Sequence, residues 1–211
     1  MSKTITLDRR PYDDREILYK KKKITLEPGV TVLVGCNGSG KTTLLRYIAD
    51  QLKSENIPHL HYDNLHDGGH SAKRYAMARQ DFSMVGTLMC SSEGEQIRIN
   101  MATAAGRMGK LVRDHKNSKE FWFLLDALDS GLSVDNIDEL KRELFDTILQ
   151  YAGSADVYII VSANEYEMCR GEKCFDVRKG EYRQFKSYEA YRNFILRSRV
   201  HKDKRYPEVR E

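Results

Sequence analysis

The chain has only four cysteines, four prolines and one tryptophan among its 211 residues, and no apolar run nears the ~20 residues a membrane-spanning helix needs. Cys36, Cys90, Cys169 and Cys174 form no C-x-x-C pair, which argues against zinc and for reduced thiols rather than a disulfide framework. The first residues, MSKTITLDRRPYDD, lack the apolar core of a signal peptide, so the chain reads as cytoplasmic. No repeat, low-complexity linker or composition break divides it, and the expectation is one α/β domain over residues 1–211. The formal net charge is only +4, so bulk charge does not call for nucleic acid. Its distribution is uneven. Lys20 to Lys23 form one basic block, and a basic C-terminal helix and tail over about 187–211 forms a second. Either block could meet phosphate backbones or lie on a solvated face.

What the chain does have is Gly35-Cys36-Asn37-Gly38-Ser39-Gly40-Lys41-Thr42-Thr43, a G-x-x-x-x-G-K-[ST] phosphate loop in its required setting. The β-branched run Val30 to Val34 precedes it, and Leu44, Leu45, Ile48, Ala49 and Leu52 follow at helical spacing. Glycines let backbone N–H groups and the next helix N-terminus face an anion. Lys41 is then expected on the β- and γ-phosphates of a nucleotide and the Thr42 hydroxyl on Mg²⁺. Strands are expected at Pro58 to Tyr62, Phe121 to Leu125 and Val157 to Val161, and helices at Glu95 to Arg113 and Ser133 to Tyr151, with an untidy helical pattern over Ala72 to Val85. This alternation predicts a mainly parallel sheet with flanking helices and the ligand at the strands' C-terminal ends. Ile24 to Leu26 and Phe175 to Tyr182, with Lys179-Gly180 at a turn, are expected to add antiparallel pieces.

The run Phe121 to Leu125 ends at Asp126, which a buried strand would carry to the sheet's end as a Mg²⁺ carboxylate. The next residues, Ala127-Leu128-Asp129-Ser130-Gly131-Leu132-Ser133, resemble the loop that follows the Walker B strand of the ABC ATPase superfamily. Upstream, Ser91-Ser92-Glu93-Gly94-Glu95-Gln96 resembles that family's signature, most closely in its RecF and SMC branch, and Ile159 to Asn164 is similar to its switch strand and loop. The resemblance covers roughly residues 24 to 185. It implies a compact stand-alone P-loop ATPase of the sort carried by phages and mobile elements, in which Ser92, Gly94 and Glu95 open a helix toward the γ-phosphate of a second subunit. An ATP-sandwich homodimer follows, because such a helix has no target in its own subunit.

The departures matter as much. The resemblance places a catalytic glutamate where this chain has Ala127, the switch histidine where it has Ala163, and a loop aspartate where it has Ser133. Hydrolysis is therefore expected to be slow, with Asp129 as substitute base and Asn164 orienting water or phosphate. His59, His61, His66 and His70 cluster with Asp63 and Asp67 but lack a fixed metal-binding spacing; Asp63 or Asn64 better fits a polar sensor of Mg²⁺ and water. Tyr12 or Tyr19 is a candidate for adenine stacking or for packing. Only about fifty residues separate Lys41 from the signature, fewer than a transporter ATPase generally needs to dock on a permease, which favours work on DNA or a protein partner. A non-hydrolysing nucleotide-binding regulator and a small nucleotide kinase are the competing readings. The kinase reading lacks an arginine-rich lid.

Overall fold

The computed structural model describes residues 1–11, 17–64, 77 and 93–204, with 93–101 described as backbone. A six-stranded sheet forms its centre, in the order β4-β5-β6-β3-β7-β8. The strands are β3 Gly29–Val34, β4 His59–Asp63, β5 Glu120–Asp126, β6 Asp156–Ser162, β7 Lys173–Asp176 and β8 Glu181–Arg183. The first five are parallel, and β8 alone runs antiparallel, against β7. A separate two-stranded antiparallel sheet joins β1 Lys3–Thr6 to β2 Lys23–Leu26.

Both faces of the central strands are covered, which is why they read as unbroken apolar runs. Phe121, Phe123, Leu125, Val157, Ile159 and Val161 fill the core on one face. Trp122, Leu124, Tyr158 and Ile160 fill the other, together with Leu44, Leu45, Ile48 and Leu52 of helix α1 Lys41–Ser54. Trp122 and Tyr158 stack across β5 and β6 with ring centroids 3.9 Å apart. The first face is closed by α2 Glu93–Asp114 and by a helix that starts as α3 Val134–Leu140, passes through a π-helical turn at Lys141–Phe145 and ends as α4 Asp146–Tyr151. A short α5 Tyr166–Cys169 and a C-terminal α6 Tyr188–Asp203 complete the fold.

The structure adds detail to three sequence expectations. The piece from Phe175 to Tyr182 forms the expected antiparallel hairpin, with Phe175 opposite Tyr182 and Gly180 at its turn, and its first strand, β7, also joins the main sheet parallel to β3. The Ile24 strand does pair antiparallel, but with β1, which the alternation of Lys3 to Thr6 was too short to announce. The helix from Ser133 to Tyr151 carries a π turn, where Lys141 reaches out to the carbonyls of Glu167 and Arg170 and to Glu172. Such turns are rare and occur mostly as single-turn bulges inside α-helices. The expected helix over Ala72 to Val85 lies outside the described residues apart from Met77.

Candidate functional site

Parallel register brings the ends of β3, β5 and β6 together. Leu33 pairs with Ser162, Leu125 with Val161, and Asp63 with Asp126. The phosphate loop leaves β3 and enters α1 at Lys41, so its backbone turns over the sheet's C-terminal edge. Gly40 has φ 98°, and a Cβ there would lie 2.9 Å from Leu18 Cδ2 and 3.0 Å from the Tyr19 hydroxyl. Gly35 is equally constrained, since its Cβ would meet Ser39 Oγ at 2.4 Å. These contacts, with the left-handed backbone at Gly40, are the local reason that the motif needs its glycines.

A cavity of about 590 Å³ opens at this edge, lined among the described residues by Leu18, Asn37, Gly38, Gly40, Lys41, Thr42, Thr43, Asp126, Ala127, Ser130, Ser162, Asn164 and Lys202. The expected phosphate-loop residues Asn37 to Thr43 thus face it, apart from buried Ser39, whose hydroxyl has no partner. Lys41 Nζ donates to the Gly35 carbonyl at 2.8 Å and to Asn164 Oδ1 at 3.0 Å. Burial pushes its pKa down, against the smaller opposing pull of Cys36, Asp129 and Asp126.

Strand β6 lies between the phosphate-loop strand and the Asp126 strand, and its end serves both. The Ser162 hydroxyl donates to Asp126 Oδ1 and accepts the Ala127 N–H at 3.0 Å. Asp126 is buried and held on one oxygen, in the same cavity as Thr42. That oxygen set fits the hard-cation preference of Mg²⁺. Two residues past β6, the loop is fixed from beneath by Asp129, whose Oδ2 accepts the N–H groups of Asn164 and Glu165 at 2.6 Å each. Asp129 Oδ1 is buried without a partner, and burial raises the carboxyl pKa despite those two amide bonds. Asp129 does not line the cavity; Asn164 does.

Ala127 stands in the left-handed region at φ 51°, a position costing a β-carbon residue roughly 1 kcal/mol. Its carbonyl accepts the Asn64 amide at 3.2 Å, and the same amide donates to the Ser130 carbonyl at 3.1 Å. Asn64, one of the two polar candidates after β4, therefore braces the turn after Asp126. Tyr19, offered for adenine stacking, is buried beneath the loop, with its hydroxyl on the Gly40 carbonyl at 2.8 Å; it packs, and the stacking assignment fails for this residue. Tyr12, Ser92, His66 and His70 lie outside the described residues; Gly94 and Glu95 fall in the first turn of α2, whose backbone alone is described. No cluster of three potential metal-ligating side chains occurs among the described residues.

Sequence reasoning missed Leu18 and Lys202. Leu18 follows no motif, and Lys202 comes from the last turn of α6, about 160 residues from the phosphate loop. The Lys20 to Lys23 block meets the turn between β7 and β8, where Lys21 Nζ donates to the Gly180 carbonyl at 3.2 Å. The Lys20 N–H donates to the Arg178 carbonyl at 2.9 Å, and the His201 pKa is lowered first by Arg178, then by burial, Lys204, Lys20 and Lys179.

A phosphate loop between strand and helix, a buried aspartate two strands away and a polar loop on the strand between them define a P-loop NTPase. The profile of the AAA domain family matches residues 24–167, and the chain belongs to that family of P-loop ATPase domains. No curated protein sequence matches it. Among solved structures, cbiO1 from Clostridium perfringens, described as part of the ABC transporter complex cbiONQ, aligns at 15% identity and a TM-score of 0.47 over 98% of this chain and 96% of that chain. Among the described residues, no helix is long and apolar enough to cross a membrane.

Proposed function

We propose that the chain is a slow, ATP-dependent switch that binds Mg²⁺-ATP as a single domain, closes as a head-to-tail homodimer across two nucleotides, and acts on nucleic acid. The observation that carries this reading is the chemistry of the cavity: a complete phosphate loop with Asp126 as the one carboxylate among its described lining residues. Thr42 and Asp126 would hold Mg²⁺, which would neutralise phosphate charge and orient the terminal phosphoryl group. With Asp126 so committed, Ala127 offers no proton acceptor. Asn164 can orient a phosphate oxygen or water by hydrogen bonding but cannot take a proton at neutral pH. Binding then outlasts chemistry, which suits a switch better than a motor. Dimer closure rests on the resemblance of Ser91 to Gln96 to a signature that acts in trans. The nucleic-acid partner is supported by two basic stretches, Lys20 to Lys23 beside Arg178 and Lys179 at the β7–β8 turn, and the cations of α6.

Size-exclusion chromatography with and without Mg²⁺-ATP, coupled to a phosphate-release assay, tests the reading. The expected result is an ATP-dependent dimer turning over well below one per second, and loss of the dimer but not of ATP binding in Gly94→Asp. A wild-type chain that binds ATP and stays monomeric at every concentration removes the dimer mechanism and returns weight to the kinase reading. Retention on a nucleic-acid duplex that persists unchanged in Lys20→Glu/Lys179→Glu would remove the basic surface from the proposal.

A further inference from the structure

The basic C-terminal helix meets the nucleotide site on its inner face. Tyr191, Ser198 and Lys202 are spaced at i, i+7 and i+11, so they share one stripe of α6. The Tyr191 hydroxyl donates to the Asn164 carbonyl at 2.6 Å, and Ser198 Oγ accepts the Cys36 N–H at 3.2 Å. One turn later, Lys202 lines the cavity itself, its stem lying over the phosphate loop such that a Cβ on Gly38 would sit 3.3 Å from Lys202 Cδ. The helix thus touches the phosphate loop and the Asn164 loop at once.

Its last turn faces an anion site with the wrong end. Helix C-termini carry partial negative charge, which a polyphosphate would oppose, and a cation from that turn reverses the local sign. Lys202 has Asp203 Oδ1 at 3.4 Å, but that carboxylate also lies 3.9 Å from Arg199 Nε, so the Lys202 charge is only partly matched. The described cavity lining carries two lysines and one carboxylate, and a triphosphate with one Mg²⁺ still needs positive charge.

We propose that Lys202 is a second phosphate-binding lysine, and that α6 thereby senses the bound nucleotide. The inference rests on the nucleotide-binding reading above. Calorimetric titration of the full chain with Mg²⁺-ATP tests it in the wild type, Lys41→Ala, Lys202→Met and Lys202→Arg, alongside nucleotide-free melting temperatures. Methionine keeps a long apolar stem over Gly38 and removes only the charge. The expected result is a Kd raised about tenfold or more in Lys202→Met, the scale of a charge-assisted contact, with a shallower salt dependence, near wild-type affinity in Lys202→Arg, and an unchanged nucleotide-free melting temperature. If Lys41→Ala loses ATP while Lys202→Met titrates like the wild type, the inference fails and the nucleotide reading stands. If Lys202→Met binds weakly but melts early without nucleotide and arginine does not rescue it, the role is structural and the proposal is overturned. If the wild type binds no nucleotide, both fall.

Discussion

Lys41 and Asn164 are hydrogen-bonded at 3.0 Å, so the lysine of the phosphate loop is tied to the loop after β6. An arriving phosphate must share or replace that bond, which makes the charge at position 164 a control on affinity. Asn164→Asp would turn a neutral acceptor into an ion pair for a buried lysine and add repulsion toward phosphate; ATP Kd is expected to rise roughly tenfold or more. Asn164→Ala frees Lys41 and should leave affinity within a few-fold of wild type while lowering turnover. Titration and phosphate release on both variants check this. Equal affinities in the two would show that Asn164 does not govern the lysine.

Asp129 sits behind this pair, with one oxygen on two loop amides and the other buried and unpartnered. We expect it to act through Asn164 rather than on water. Asp129→Asn leaves an NH₂ group where an oxygen is already unpartnered and turns two charge-assisted bonds to the Asn164 and Glu165 amides into neutral, weaker ones. The expected cost is about 1–3 kcal/mol of stability, read by denaturant unfolding, together with reduced turnover and altered ATP affinity as the loop shifts. A strong loss of turnover at unchanged stability and affinity would instead identify Asp129 as the proton acceptor.

The parts of this site that were legible from the sequence are those written locally. The phosphate loop, the Asp126 strand and the strand of Val157 to Val161 each carry their own signal: a glycine pattern or an apolar run ending in a polar residue. Tyr19 could not be assigned because packing and stacking demand the same aromatic side chain, and only the position of its hydroxyl on the Gly40 carbonyl decides between them. Lys202 was invisible for a different reason. A lysine among many in a basic helix gains meaning only when Tyr191 and Ser198 fix which face of that helix meets the phosphate loop. The parallel placement of β7 likewise depends on a long-range pairing with β3 that a short apolar stretch cannot announce.

Lys41 also sets a pH dependence. Burial lowers its pKa from 10.5 in the nucleotide-free chain, so the folded chain holds that proton less tightly than the unfolded chain. Between the lowered value and 10.5, this group makes stability rise as pH rises. Nucleotide binding has the opposite sign, because phosphate favours charged lysine. ATP affinity should therefore weaken with rising pH at a point below an ordinary lysine's titration, with proton uptake on binding in that range. Calorimetry in two buffers of different ionisation enthalpy measures it; affinity flat from neutral pH to 10.5 would contradict the buried-lysine account.

Ala127 is the residue where the site departs furthest from a fast hydrolase. It lines the cavity at φ 51°, directly after Asp126, with its N–H on Ser162 Oγ. The left-handed backbone penalises alanine and glutamate alike, so Ala127→Glu should fold with little change while bringing a carboxylate to the cavity. Ala127→Gly separates backbone from chemistry: relief of strain should stabilise the chain by up to about 1 kcal/mol and leave turnover as it was. Ala127→Glu should raise turnover ~10-fold or more, since a positioned base contributes 10²–10⁴-fold. Denaturant unfolding reads the first effect and single-turnover phosphate release on the three chains reads the second. A glutamate variant no faster than wild type, with ATP still bound, would mean that the turn held by Ser162 and Asn64 aims position 127 away from the attacking water.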